Sequence, residues 1–191
     1  MNFDFSDDQK FLRDEARKFL EAQCTTAHVR EVLDDDSKSH KEGVWKQIGE
    51  MGWLGAAVPE EYGGLGLGML ELCVIAEELG RALAPLRDEG VLIVGSGLSY
   101  HNLRLMGPEA REPSAAFDVW LNGAMRLPPA ERTQAMLKWE SAPAARICHP
   151  QEDHLVPLFV ALGAAEDEAA AVPYHETTMM GGVTASNFRF G

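Results

Sequence analysis

VLIVGSGLSYHNL, residues 91–103, runs four apolar residues into two glycines and then delivers a histidine. Val, Leu and Ile followed by Gly95 and Gly97 form the pattern of a buried strand that turns sharply at its end. Two better-known glycine patterns come close and fail. The dinucleotide fingerprint needs a third glycine three positions after the second, so that helix and strand pack closely while amides reach a pyrophosphate, and Tyr100 stands there. The G-x-S-x-G elbow needs a spacer on each side of the serine, whereas Ser96 lies directly between Gly95 and Gly97. The stretch therefore presents His101 and does not cradle a phosphate.

Outward from this point the two sides of the chain use different patterns. After Pro85, short apolar stretches, proline-led helices and glycine turns read as α/β. LPPAERTQAMLKWE is a helix with proline in its first turn, HLVPLFVALGAA is an apolar helix ending at glycine, and VPYHETTMMGGVTASNFRFG carries β-formers around turn glycines. Before Pro85 the pattern is helical. Ser6 and Gln9 make a capping box, with Leu12, Ala16, Phe19 and Leu20 on one face behind it. LDDDSKSHKEG is a solvated loop, Trp45, Ile48 and Met51 mark a short helix, and AAVPEEYGGLGLG is an ordered loop broken by Pro59 and its glycines. MLELCVIAEELGRALA resumes the helix, with Glu77 and Arg81 one turn apart. The expected fold class is an α+β / α/β composite, a helical segment followed by a partial α/β half-domain.

The chain has 191 residues, 46% of them hydrophobic, enough for a buried core in one domain or two small ones. A formal charge of -13 argues against nucleic acid and anionic membrane surfaces, which are held by clustered Lys and Arg. Cys24, Cys73 and Cys148 have no metal-ligand spacing and suit a reducing compartment. The acidic start lacks a basic stretch leading into an apolar core, and no apolar run reaches membrane-spanning length. A cytoplasmic protein is expected.

The segment from FDFSDDQKFLRDEARKFL through GWLGAAVPEEYGGLG to EELGRALAP resembles the N-terminal helical domain of acyl-CoA dehydrogenases. In that family this domain is one wall of the active site. The flavin and the α-proton-abstracting carboxylate belong to later domains, so the resemblance implies neither that activity nor FAD held by this chain alone. From GRALAPLRDEGVLIVGSGLSYHNLR onward, the chain resembles the C-terminal part of class III extradiol ring-cleaving dioxygenases, LigB-like and of the 4,5-DOPA dioxygenase type. RDEGVLIVGSGLSYHNLR, WESAPAARICHPQEDHLVPLFVALGAA, MMGGV and the terminal FRFG follow in order. The domains expected are residues 1–85 and 86–191, joined at LGRALAPLRDEGV, where both families would write nearly the same sequence.

This second resemblance implies a non-haem Fe(II), or Zn(II) in its place, a catecholic small molecule and dioxygen. It implies that His101 is the active-site histidine, handling protons or contacting the metal, and that one histidine of HPQEDH is a ligand. His149 and His154 are five apart, about 140° around an ideal helix, so one helix cannot aim both at one ion. Pro157 prefers a first helical turn, which leaves His154 at a loop-to-helix boundary, free to project. His154 is the expected ligand, and His149 and His175 are supporting or substrate-facing residues. His28 and His40 match neither motif. The family's early histidine ligands have no counterpart here, so the metal site is expected to be incomplete in the monomer and the chemistry impaired or dependent on a homo-oligomer. Two other readings are a non-catalytic interaction protein, and a flavin- or acyl-CoA-associated protein acting through the first segment.

Overall fold

The computed structural model describes residues 6–165 and 167–191. Residues 1–5, where the acidic start and the dehydrogenase-like stretch open, lie outside the described residues, as does residue 166. The chain divides into two compact units. One takes in the chain up to Ile93 with Leu162–Ala164, and the other Val94–Ala161 with Ala165–Gly191.

The first unit holds α1 (Asp7–Gln23), α2 (Thr26–Leu33), α3 (Glu42–Glu50), α4 (Met69–Leu83) and α5 (Pro85–Asp88). The capping box forms as the sequence requires. The Gln9 amide donates to Ser6 Oγ at 3.1 Å and the Ser6 amide to Gln9 Oε1 at 3.0 Å, satisfying two otherwise orphan donors. Ala16 and Leu20 on α1 are buried, and α4 buries Cys73, Val74, Ile75 and Ala76 in succession, as a helix covered all round must. Across the α1–α4 packing, Arg17 grips buried Glu78 through two nitrogens at 2.7 and 2.9 Å. Arg81 Nη2 lies 3.1 Å from Glu77, one turn away. No single helix crosses the junction: α4 ends at Leu83, and Pro85, which cannot continue the ladder, begins a new turn. α2 forms between Thr25, whose side chain caps it, and Asp34, a segment not assigned from the sequence.

The second unit contains α6 (Arg111–Met125), α7 (Pro129–Leu137), α8 (Ala145–Cys148), most of α9 (Val156–Ala165), β1 (Ala170–Met179) and β2 (Val183–Phe190). β1 and β2 pair antiparallel around the Met180–Gly181–Gly182 turn, with His175 directly opposite Ser186. α6 is the hub. Phe117, Leu121 and Met125, four residues apart, are buried on its apolar side. A second stripe, Ser114, Asp118 and Asn122, faces β2. α9 passes through Gly163 and ends at Ala165, where a glycine stop was expected. The reason is close packing, because a Cβ on Gly163 would stand 2.0 Å from the Glu77 carbonyl oxygen of α4.

The observed class is the α+β composite, with an antiparallel hairpin as the sheet. The strand expected at residues 91–94 does not form. The segment has no regular secondary structure, Leu92 is 83% and Val94 74% exposed, and no described residue pairs with the backbone of residues 92–97. A strand exists only as part of a ladder, and apolar β-branched composition cannot supply the neighbour.

Candidate active site

His101 owes its position to the two glycines of the opening stretch. A Cβ on Gly95 would lie 2.5 Å from the Pro157 carbonyl oxygen, and one on Gly97 2.2 Å from that of His154. Their role is close backbone approach, and the Leu98 amide completes it by donating to the His154 carbonyl at 3.1 Å. Beyond them Tyr100 is fully buried and its hydroxyl donates to the Leu105 carbonyl. The His101 amide donates to the Cys148 carbonyl at 2.9 Å, and Asn102 Nδ2 to the Ile147 carbonyl at 2.7 Å. Residues 97–102 are thus stitched to residues 147–154.

That stitching brings His101 to His154, which lies in the turn before α9, with Pro157 the second residue of the helix. The two rings stack with centroids 3.3 Å apart and planes 16° from parallel. Asp153 Oδ1 stands 3.9 Å from His101 Nδ1, and its Oδ2 stands 3.7 Å from His154 Nε2. One ligand atom from each of the three residues lies within 4.8 Å of the others. The cluster opens to solvent, with side chains 20%, 60% and 42% exposed for His101, Asp153 and His154. Asp153 was not singled out in the sequence, although its place beside His154 in HPQEDH was a usable signal.

The donor set fits a divalent ion of the Fe(II) or Zn(II) kind: two imidazoles and a carboxylate, with positions left open. The ring arrangement fits after one adjustment. Imidazole lone pairs lie in the ring plane, so parallel rings 3.3 Å apart cannot both aim at an ion about 2 Å from each nitrogen. One ring must turn, and the half-exposed His154 has room to do so.

The other histidines lie elsewhere. His149 is fully buried, its ring edge-on to Phe117 and Trp139 at 5.2 and 5.9 Å. Its Nε2 meets the Ser99 carbonyl at 3.0 Å, and because a carbonyl only accepts, Nε2 carries the proton. Nδ1 has no partner. Burial pulls its pKa down to about 4, so the ring is neutral at physiological pH and works as a strut under Ser99. Burial likewise pushes the adjacent Cys148 thiol up to about 12, and Sγ donates to the Pro113 carbonyl at 3.3 Å, so the pair is no thiolate–imidazole couple. His175 stands on β1 with Nδ1 3.0 Å from Ser186 Oγ. In the first unit, His28 Nδ1 donates to the Gln23 carbonyl at 2.9 Å, and His40 lies 2.8 Å from Ser39 Oγ and edge-on to Trp45.

Comparison with known proteins divides the chain in the same sense. Residues 6–112 match the acyl-CoA dehydrogenase N-terminal domain, and residues 76–191 match the catalytic LigB subunit of aromatic ring-opening dioxygenase. The chain is 38% identical to the 4,5-DOPA dioxygenase extradiol of Beta vulgaris, over 59% of its own length and 42% of that protein's. It is 37% identical to a probable acyl-CoA dehydrogenase of Bacillus subtilis, over 41% of its length and 13% of that protein's. Among solved structures it is similar to an uncharacterized protein of Escherichia coli K12, with a TM-score of 0.53, 25% identity, and 61% and 49% of the two chains covered. The chain spans less than half the length of these relatives. No helix among the described residues is long and apolar enough to cross a membrane. The two matches overlap between residues 76 and 112, around the shared junction. The chain therefore belongs, through residues 76–191, to the family of the catalytic LigB subunit of aromatic ring-opening dioxygenases and, through residues 6–112, to that of the acyl-CoA dehydrogenase N-terminal domain.

Proposed function

We propose that residues 86–191 are a catechol ring-cleaving dioxygenase half whose chemistry is impaired in the single chain, joined to a helical domain over residues 1–85 that performs no acyl-CoA dehydrogenation. The observation that carries this reading is the convergence of His101, Asp153 and His154 within 4.8 Å in the dioxygenase-like part. His154, Asp153 and His101 would hold Fe(II), or Zn(II) in its place. Such an ion supplies a Lewis-acidic centre for a catecholic substrate and, as Fe(II), a redox partner for dioxygen. His101 takes the proton of a catechol hydroxyl and returns it during ring opening, with the Asp153 carboxylate beside its Nδ1. His149 and Cys148 hold the backbone of residues 99–101 in register from beneath. The cysteines Cys24 and Cys148 remain thiols, which suits a cytoplasmic setting.

The test is an anaerobic Fe(II) titration with oligomeric mass recorded on the same samples. Saturable binding that is lost in His154→Ala and kept in His149→Ala supports the assignment, and the reverse pattern overturns the choice of ligand. If bound protein opens catechol rings, His101→Ala should abolish turnover with the fold intact.

A second reading has its own support. The backbone of residues 92–97 pairs with no described residue, and Leu92 and Val94 are exposed, so the segment could pair with a strand from another chain. An interaction protein that self-associates through this segment would show a concentration-dependent mass without Fe(II) binding. Self-association with binding would mean that the homo-oligomer completes the site.

A further inference from the structure

α6 and β2 meet along a buried polar seam. Ser114 and Asp118 are four residues apart on the helix, an axial rise of about 6 Å. Thr184 and Ser186 are two apart on the strand, a rise of about 7 Å. The two spacings match, so the pairs meet in order: the Thr184 amide donates to Ser114 Oγ at 2.9 Å, and Ser186 Oγ to Asp118 Oδ1 at 2.6 Å. Ser114, Asp118, Thr184 and Ser186 are each no more than 6% exposed.

The proton inventory of this seam decides the state of His175. Ser186 has one hydroxyl proton, and a carboxylate can only accept, so that proton is spent on Asp118. The Ser186 oxygen then offers only lone pairs, one towards Asn122 Nδ2 at 3.0 Å, whose two hydrogens it shares with the Asp118 carbonyl and Oδ2, and the other facing His175 Nδ1 at 3.0 Å. Nδ1 must therefore carry hydrogen. Asp118 Oδ2, 3.5 Å from the same nitrogen, favours that arrangement. The contact follows from the strand register, since His175 and Ser186 are cross-strand partners. Nε2 is left as a lone pair with no partner among the described residues, on a side chain that is 48% exposed. Ser186 is not a nucleophile in a hydrolase-type triad, because its proton points to the carboxylate and its oxygen is buried. The seam also reaches His101's segment, since the Ser186 amide donates to Ser99 Oγ at 3.0 Å.

We propose that Asp118 and Ser186 are positioning residues that lock His175 as the Nδ1–H tautomer, presenting Nε2 to solvent as a proton acceptor for a hydroxyl-bearing aromatic ligand. The tautomer lock stands on the seam alone; the phenolic class of the ligand rests on the ring-cleavage reading. Long-range nitrogen–proton NMR of the histidine side chains tests both, with the His175 signals assigned by their loss in His175→Gln. Wild-type protein should show His175 protonated at Nδ1. Ser186→Ala, which keeps the backbone bond to Ser99, should return the ring to the Nε2–H form that free histidine favours, and Ser186→Thr, which restores the hydroxyl, should rescue the lock. Catechol should then shift the His175 Nε2 signal saturably, with affinity roughly five- to ten-fold weaker in Ser186→Ala. His175 found as Nε2–H in the wild type, or unchanged by Ser186→Ala, overturns the lock. An Nε2 signal indifferent to catechol overturns the acceptor role. Fe(II) binding is assigned to the His101, Asp153 and His154 cluster, so its failure would count against ring cleavage and leave the tautomer of His175 to be judged separately.

Discussion

Each unit is braced internally by polar contacts, and those contacts differ in character between the two. In the helical unit, the Arg17–Glu78 pair spans two amphipathic helices, and one partner is half-exposed: Glu78 is 3% exposed and Arg17 40%. In the second unit, the α6–β2 seam and the His149–Ser99 strut are closed on both sides, with each of Ser114, Asp118, His149 and Ser186 buried. A half-open pair can be repaired by water when one side is lost, whereas a closed one cannot. The second unit should therefore be the more sensitive to small changes, because its polar groups and close backbone contacts have no alternative partners.

The largest effect is expected at the glycine contact that sets His101 against His154. Gly97→Ala drives a methyl group to 2.2 Å from a carbonyl oxygen, which should cost about 3 kcal/mol or more and abolish saturable Fe(II) binding. Urea denaturation and the Fe(II) titration read the two consequences, and unchanged binding would show that the close approach does not position the site.

His149 gives a pH dependence. The folded ring has a pKa of about 4 against an ordinary 6.5, so the unfolded chain takes up a proton first. Its contribution is complete above pH 6.5, declines as the pH falls towards 4, and is flat below. One pKa unit corresponds to about 1.4 kcal/mol, so the loss across the window is roughly 3 kcal/mol. His149→Phe should flatten the difference between urea denaturation at pH 7 and at pH 4.5 relative to the wild type. An equal slope in both proteins would mean that the buried ring is not the source.

The helical unit should show the asymmetry of its ion pair. Arg17→Ala leaves the Glu78 carboxylate, among the described residues, with the distant Arg81 Nε 3.8 Å away, and should cost about 2 kcal/mol. Glu78→Ala leaves an arginine that water can reach and should cost about 1 kcal/mol. Thermal melts in that order support the contrast between the units, and equal losses would remove it. The smallest effect is a gain. Gly123→Ala in α6 meets nothing within 4 Å and should stabilise by about 0.5–1 kcal/mol through helix propensity alone.

Legibility in the sequence followed the range of the interactions. The Ser6–Gln9 box, the proline-led α7, the Glu77–Arg81 pair and the hairpin around MMGGV are set by residues within a few positions of each other, and all are present. The strand at residues 91–94 failed, because a strand needs a neighbour that local composition cannot provide. His101 and His154 stood out through their motifs. Asp153 did not, since one more acidic residue in an acidic chain carries no mark until the turn before α9 places it beside both rings.

The sequence by itself determined the helical grammar of the first segment, the two families the chain joins, and the histidines worth watching. Tertiary structure alone decided their states. It made His149 a neutral buried strut, set Nδ1 of His175 against a hydroxyl whose proton was already committed, and stacked His101 on His154 through glycines expected only to turn a strand. The physical reason is that propensity and periodicity act over one turn or one strand. Protonation, tautomer and ligand geometry depend on which partners are brought within about 3 Å from distant parts of the chain.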